Sequence, residues 1–112
     1  MKLVTAIVKP FKLNEVRDAL NGLGVSGLTV THVQGYGRQR GQGAVYRGPE
    51  YEVKFIPKIK VEVLAPSGAA ERVFLTLLKS AHTGQLGDGK VYLQDVEKVA
   101  RIRTGESDDQ AL

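Results

Sequence analysis

Four short β-rich runs and two segments of helical spacing follow one another in the order β-α-β-β-α-β. That order predicts an α+β domain of the split βαβ, ferredoxin-like type. Two further observations agree with it. A chain of 112 residues suffices for one domain with one core, and the sequence has no fixed-period repeat and no low-complexity tract.

Residues 3–8 are apolar and β-branched and are closed off by Pro10, which predicts a buried strand. Leu13, Val16, Leu20 and Leu23 then recur at intervals of three and four, the spacing of one helix face. Asn14 and Glu15 suit the first turn of that helix, and Gly22 and Gly24 suit its end. Residues 28–33 read as a second strand. Ile59, Val61 and Val63 alternate with Lys58, Lys60 and Glu62, which predicts a half-exposed third strand. Pro66-Ser67 opens a second helix with Ser67 as the expected N-cap, and Ala70, Val73, Phe74, Leu77, Leu78 and Ala81 form its expected buried face. Residues 91–96 make a fourth strand and 99–103 a short fifth. Two helices cover one face of such a sheet. The first helix supplies few large apolar side chains, so the other face is expected to pack against copies of the chain as a homo-oligomer.

Composition narrows the function classes. The absence of cysteine excludes disulfides, thiolate zinc sites and thiol catalysis. A net charge of +4 permits an anionic partner without naming it. Residues 106–112 hold Glu106, Asp108 and Asp109 and no base, which reads as a flexible acidic tail and makes the remaining body more basic than the total. No apolar run is long enough to span a membrane, and residues 1–6 lack a signal-peptide core, so a cytoplasmic protein without membrane insertion is expected.

Residues 37–54 do not fit a compact domain. They contain four glycines, Pro49 and no clear period, and unstructured connections beyond about 12–15 residues are usually functional. Arg38, Arg40, Arg47 and Lys54 stand there against Glu50 and Glu52, together with Tyr46 and Tyr51, which favours a binding loop.

Gly84 to Lys90 satisfies the spacing of a P-loop. Val91, however, stands where a hydroxyl should meet Mg²⁺, and the motif leads into a strand, so the P-loop reading fails. What remains is a glycine turn, Gly87-Asp88-Gly89, whose backbone N–H groups can approach an anion beside the point charge of Lys90. Arg101 and Arg103, two apart in the expected fifth strand, would share a face and take phosphate bidentately. With Lys90 and Arg38 they point to a polyphosphate site, which so small a domain would assemble at a subunit boundary.

Enzyme signatures are thin. His32 and His82 have no acidic or histidine neighbours at ligand spacing, Asp88 and Glu62 form no acid/base pair, and no serine lies in a nucleophile elbow. RNA-recognition domains share the same element order but stack bases on strand aromatics. Here the first strand has none and the third only Phe55, so no nucleic-acid partner is expected.

These motifs, in this order and spacing, resemble the PII signal-transduction family, the trimeric nitrogen-status sensors of bacteria, archaea and chloroplasts. The resemblance runs from Met1 to about Glu106. It rests on Val8-Lys9-Pro10-Phe11, Gly35-Tyr36-Gly37-Arg38-Gln39, Tyr46-Arg47-Gly48-Pro49-Glu50-Tyr51, Pro57-Lys58, Thr83 with Gly87-Asp88-Gly89-Lys90, and residues 101–106. It implies a homotrimer with ATP or ADP bound in the clefts between subunits. Phosphates would lie against Arg38, Gly87, Gly89, Lys90, Arg101 and Arg103, and Gly37, Gln39 and Asp88 would also belong to the nucleotide site. Thr29, Glu62 and Leu64 would line the nucleoside end, with Ile7 and Gly35 nearby. It also implies a 2-oxoglutarate site formed by Gln39, Arg40, Gly41, Lys58 and Gly87, with Gln39 ligating Mg²⁺ held between ATP and the keto-acid. Lys58 would pair with the distal carboxylate.

On the same resemblance residues 37–54 are the T-loop, which docks onto ammonium transporters and nitrogen-metabolism enzymes. Arg47 would plug a transporter vestibule, and Tyr51 matches a tyrosine that a nucleotidyltransferase modifies in some lineages. The chain departs from the family at Pro49, Gln42-Gly43, Lys54 and Tyr92. Pro49 fixes φ and removes a donor two residues before Tyr51, which bears on recognition by a modifying enzyme. The function implied is a non-enzymatic regulator responding to ATP/ADP and 2-oxoglutarate. The alternative is a weak ATPase using the same cleft.

Overall fold

A computed structural model describes residues 1–36 and 55–112. Six elements make up the domain: β1 (Lys2–Val8), α1 (Leu13–Gly22), β2 (Thr29–Gly35), β3 (Ile56–Ala65), α2 (Ser67–Ala81) and β4 (Lys90–Asp95). The strands form one antiparallel sheet in the order β2-β3-β1-β4, the arrangement expected from βαββαβ. β1 is central and pairs on both sides. Its side chains are therefore buried by neighbours wherever they point to the helices, as at Val4, Ala6 and Val8.

The core is a single cluster. Val4, Ala6 and Val8 of β1 and Ile59, Val61, Val63 and Ala65 of β3 meet Val16 and Leu20 of α1 and Ala70, Val73, Leu77 and Ala81 of α2. Leu13 and Leu23 flank this cluster, so the heptad-like spacing read from the first helix holds over its whole length.

Four expectations change. Ser67 is not the N-cap of α2. Pro66 occupies that position with extended backbone (φ −58°, ψ 148°), and the Ser67 hydroxyl instead accepts from the Met1 amino group at 2.9 Å. Leu78 does not join the buried face. The stripe at 70, 73, 77 and 81 already fills the contact with the sheet, and a residue next to Leu77 is turned about 100° away, so Leu78 stays 51% exposed. Residues 99–103 form no strand. Only an isolated bridge joins Ala100 to Ser107, and Gly105 N–H donates to the Arg101 carbonyl at 2.7 Å, which closes residues 101–105 into a turn. Finally, residues 106–112 are largely exposed but not free. Asp108 N–H donates to Val99 at 2.7 Å, Arg101 N–H donates to Glu106 at 2.8 Å, and Asp108–Ala111 make a 3₁₀ turn.

Gly89 fixes where β4 begins. Its φ is +89°, and a Cβ placed on it would lie 1.8 Å from the carbonyl oxygen of Ile7 and 2.9 Å from its carbon. Both the left-handed backbone and the close approach to β1 exclude a side chain. Gly89→Ala is expected to destabilise the fold by more than about 2 kcal/mol. Gly27→Ala, where a Cβ meets nothing within 4 Å, is expected to change stability by less than about 0.5 kcal/mol. Urea unfolding followed by circular dichroism compares the two.

Candidate functional site

The pairing register gathers most of the candidate residues on the face without helices. Residues directly opposite in an antiparallel sheet share a face. Thr29, Glu62, Thr5 and Tyr92 form one row across the four strands, and Thr31, Lys60, Ile7 and Lys90 the next. Val33 and Lys58 follow beyond, with Gly35 opposite Ile56, and Leu3 with Leu64 lies on the other side. Ile7, Thr29, Gly35, Lys58, Glu62, Leu64 and Lys90 thus belong to one surface. Glu62 and Leu64 also line a cleft of about 990 Å³ with Thr29, Arg101 and the chain's last turn, including Asp109, Ala111 and Leu112. Leu64 is 42% exposed there.

The glycine turn stands at the other end of this face. It is locked by Asp88, whose carboxylate accepts from the Thr83 hydroxyl and, at 2.9 Å each, from the backbone N–H groups of Thr83 and Gly84. The Thr83 oxygen in turn accepts from Gln85 N–H at 3.1 Å. Lys9, at the end of β1, donates to Thr83 Oγ1 at 3.2 Å and lies 3.4 Å from Asp88 Oδ1. Partial burial alone would raise the Asp88 carboxyl. The donors from Thr83, Gly84 and Lys9 overcome that and hold it well below the usual carboxylate range. The Asp88 carboxylate thus locks the turn.

Lys58 is buried on the same face, and its ammonium donates to the carbonyl of Gly87. Burial pushes this ammonium below its ordinary value, the Lys9 charge adds to the effect, and Asp88 opposes it.

Arg101 and Arg103 are not two residues of one strand face, because they sit in the 101–105 turn. Arg101 Nη2 donates to the Ala111 carbonyl at 3.3 Å and Nη1 is 3.8 Å from Glu106. The guanidinium is thus turned toward the final segment and the cleft. Gly37, Arg38, Gln39, Arg40, Gly41, Arg47 and Tyr51 lie outside the described residues. The expected Mg²⁺ position depends on Gln39 and is among them. Among the described residues no group of three His, Cys, Asp or Glu could hold a metal ion.

Sequence reading assigned no role to Lys9. Its partners are 74 and 79 residues away along the chain, so no local spacing signals the contact. The Thr83–Asp88 pair was closer to hand, as a hydroxyl and a carboxylate bracketing a glycine turn.

Because the folded-state pKa of Asp88 is depressed, its stabilisation is present above the unfolded carboxylate value of about 3.9 and is lost as pH falls below it. The wild-type thermal midpoint should therefore exceed that of Asp88→Asn at pH 7, with the gap narrowing progressively between about pH 5 and pH 2. Melting curves of both proteins at fixed concentration measure it.

A family model for nitrogen regulatory protein P-II matches residues 1–106. Over 112 residues, and covering all of both chains, the sequence is 53% identical to the nitrogen regulatory protein P-II of Rhizobium etli and 51% identical to the nitrogen regulatory protein GlnK of Escherichia coli K12. The crystal structure of Arabidopsis thaliana PII bound to citrate superposes with a TM-score of 0.81 at 34% identity, covering 99% of this chain and 91% of that one. With the βαββαβ sheet and its glycine turn, these matches show that the chain belongs to the nitrogen regulatory protein P-II family.

Proposed function

We propose that this protein is a non-enzymatic signal-transduction regulator that binds ATP or ADP and 2-oxoglutarate and reports them to target proteins through residues 37–54. One observation carries the reading. The sheet register brings Ile7, Thr29, Gly35, Lys58, Glu62, Leu64 and Lys90 onto the face that no helix covers.

That face has a division of labour suited to a nucleotide. The cleft beside Leu64, Thr29 and Glu62 offers an apolar wall with a few polar groups, as a nucleoside requires. The glycine turn with Lys90 offers backbone and charge for phosphates. The Gly87–Lys90 turn does not line the cleft, which favours sites completed by a neighbouring copy and hence a homotrimer with its open faces inward. Arg38 and Arg103 would add charge to the phosphates. Lys58 would take the distal carboxylate of 2-oxoglutarate, with Gly87 beside it, and Gln39, Arg40 and Gly41 closing over the ligand. Mg²⁺, held by Gln39 and the two ligands, would supply the bridge that makes each depend on the other. The citrate-bound Arabidopsis relative is a family member with a carboxylate ligand, which supports carboxylate binding here.

The relatives' names place them in nitrogen regulation, and the targets proposed here are an ammonium transporter or nitrogen-metabolism enzymes. Arg47 would make the transporter contact, and Tyr51 is the candidate for a nucleotidyltransferase. Among the described residues no helix is long and apolar enough to cross a membrane, which fits recruitment to a membrane through such a partner.

Isothermal titration tests the linkage. 2-Oxoglutarate is expected to bind at least about tenfold more tightly with Mg²⁺-ATP than without it, and equal affinity would overturn the reading. Equilibrium sedimentation at micromolar concentration is expected to give three times the chain mass; a monomer would refute shared sites.

A further inference from the structure

Lys9 and Lys58 both approach the glycine turn, yet their ammonium groups have different partners. Lys9 lies 3.4 Å from the Asp88 carboxylate and donates to Thr83 Oγ1 at 3.2 Å, with only 17% of its side chain exposed. Lys58 meets the neutral carbonyl of Gly87 and, among the described residues, forms no ion pair. The three charges share one partly buried cluster: Lys58 feels repulsion from Lys9 and attraction from Asp88. Two cations and one anion leave a single positive charge in excess. Lys9 neutralises Asp88, so the excess resides on Lys58.

We infer that Lys9 is a positioning residue for dicarboxylate binding: by occupying the Asp88 carboxylate it keeps the Lys58 ammonium free for the ligand. This rests on the proposed role of Lys58. Without the Lys9 charge, Asp88 becomes the strongest acceptor near Lys58, and a carboxylate competes for an ammonium far better than a backbone carbonyl does. Lys58 would turn to Asp88, and an incoming carboxylate would meet a neutralised pair. The ligand's second negative charge would then have no partner in a poorly hydrated site, which is costly. Nucleotide phosphates, which would meet Lys90 and the arginines, would be affected much less.

A charge cycle distinguishes this from a merely structural role. Titration of 2-oxoglutarate into each protein saturated with Mg²⁺-ATP is expected to show a loss of about tenfold or more for Lys9→Met. Lys9→Arg, which keeps the charge, is expected to stay within about threefold of wild type. In the double variant Lys9→Met/Asp88→Asn the competing carboxylate is gone, so affinity is expected to recover most of the loss. ATP affinity measured alone should change by less than about threefold in Lys9→Met. Unaltered 2-oxoglutarate binding in Lys9→Met, equal losses for ATP and 2-oxoglutarate, or a double variant weaker than the single would each overturn the inference. Lys9→Gln provides the same comparison should Lys9→Met not fold. A wild-type protein that binds no 2-oxoglutarate would instead refute the proposed function, and this role with it.

Discussion

The approach of Gly89 to the Ile7 carbonyl is the constraint on which the functional surface depends. It leaves no room for a Cβ, so β4 can start beside β1 only after a glycine turn. The start of β4 sets its register, with Ile7 opposite Lys90 and Thr5 opposite Tyr92. In a strand the side chains alternate, and a slip of one residue would send Lys90 to the helix side and Val91 to the open face. One backbone contact therefore decides whether a cation joins the candidate site or lies against the core.

The turn before that contact is held together electrostatically. Asp88 gathers two backbone donors, a hydroxyl and an ammonium. A carboxylate so fully engaged holds residues 83–88 around itself, and leaves the Gly87 carbonyl facing Lys58. The other end of the face is organised by Arg101, which bonds to the Ala111 carbonyl and pairs with Glu106. The acidic final segment thus lies beside the cleft rather than away from it.

Much of this was legible beforehand. The strands and helices appear in the expected order because periodicity reports burial, and burial here is one-sided: Val16 and Leu20 in α1, and Val73 and Leu77 in α2, are core residues at the spacing that announced them. The resemblance to the P-II family was equally legible, since short motifs in fixed order survive without coordinates. Legibility failed where a local rule met a distant partner. Ser67 had the composition of an N-cap, but Pro66 took the position and the hydroxyl went to Met1. Arg101 and Arg103 had strand spacing, but Gly105 and the Glu106 carbonyl bent them into a turn.

The amino-acid sequence by itself determined the element order, the core-facing residues apart from Leu78, the family and the residue types able to meet an anion, because each depends on spacing along the chain. Only the tertiary structure decided that Ile7, Thr29, Lys58, Glu62, Leu64 and Lys90 share one face, that Lys9 answers Asp88, and that the final segment turns back to Arg101. Those facts depend on strand register and on contacts between residues far apart in the chain. Both are set by how the core packs and by where glycine lets two backbones touch, and neither leaves a local spacing to read.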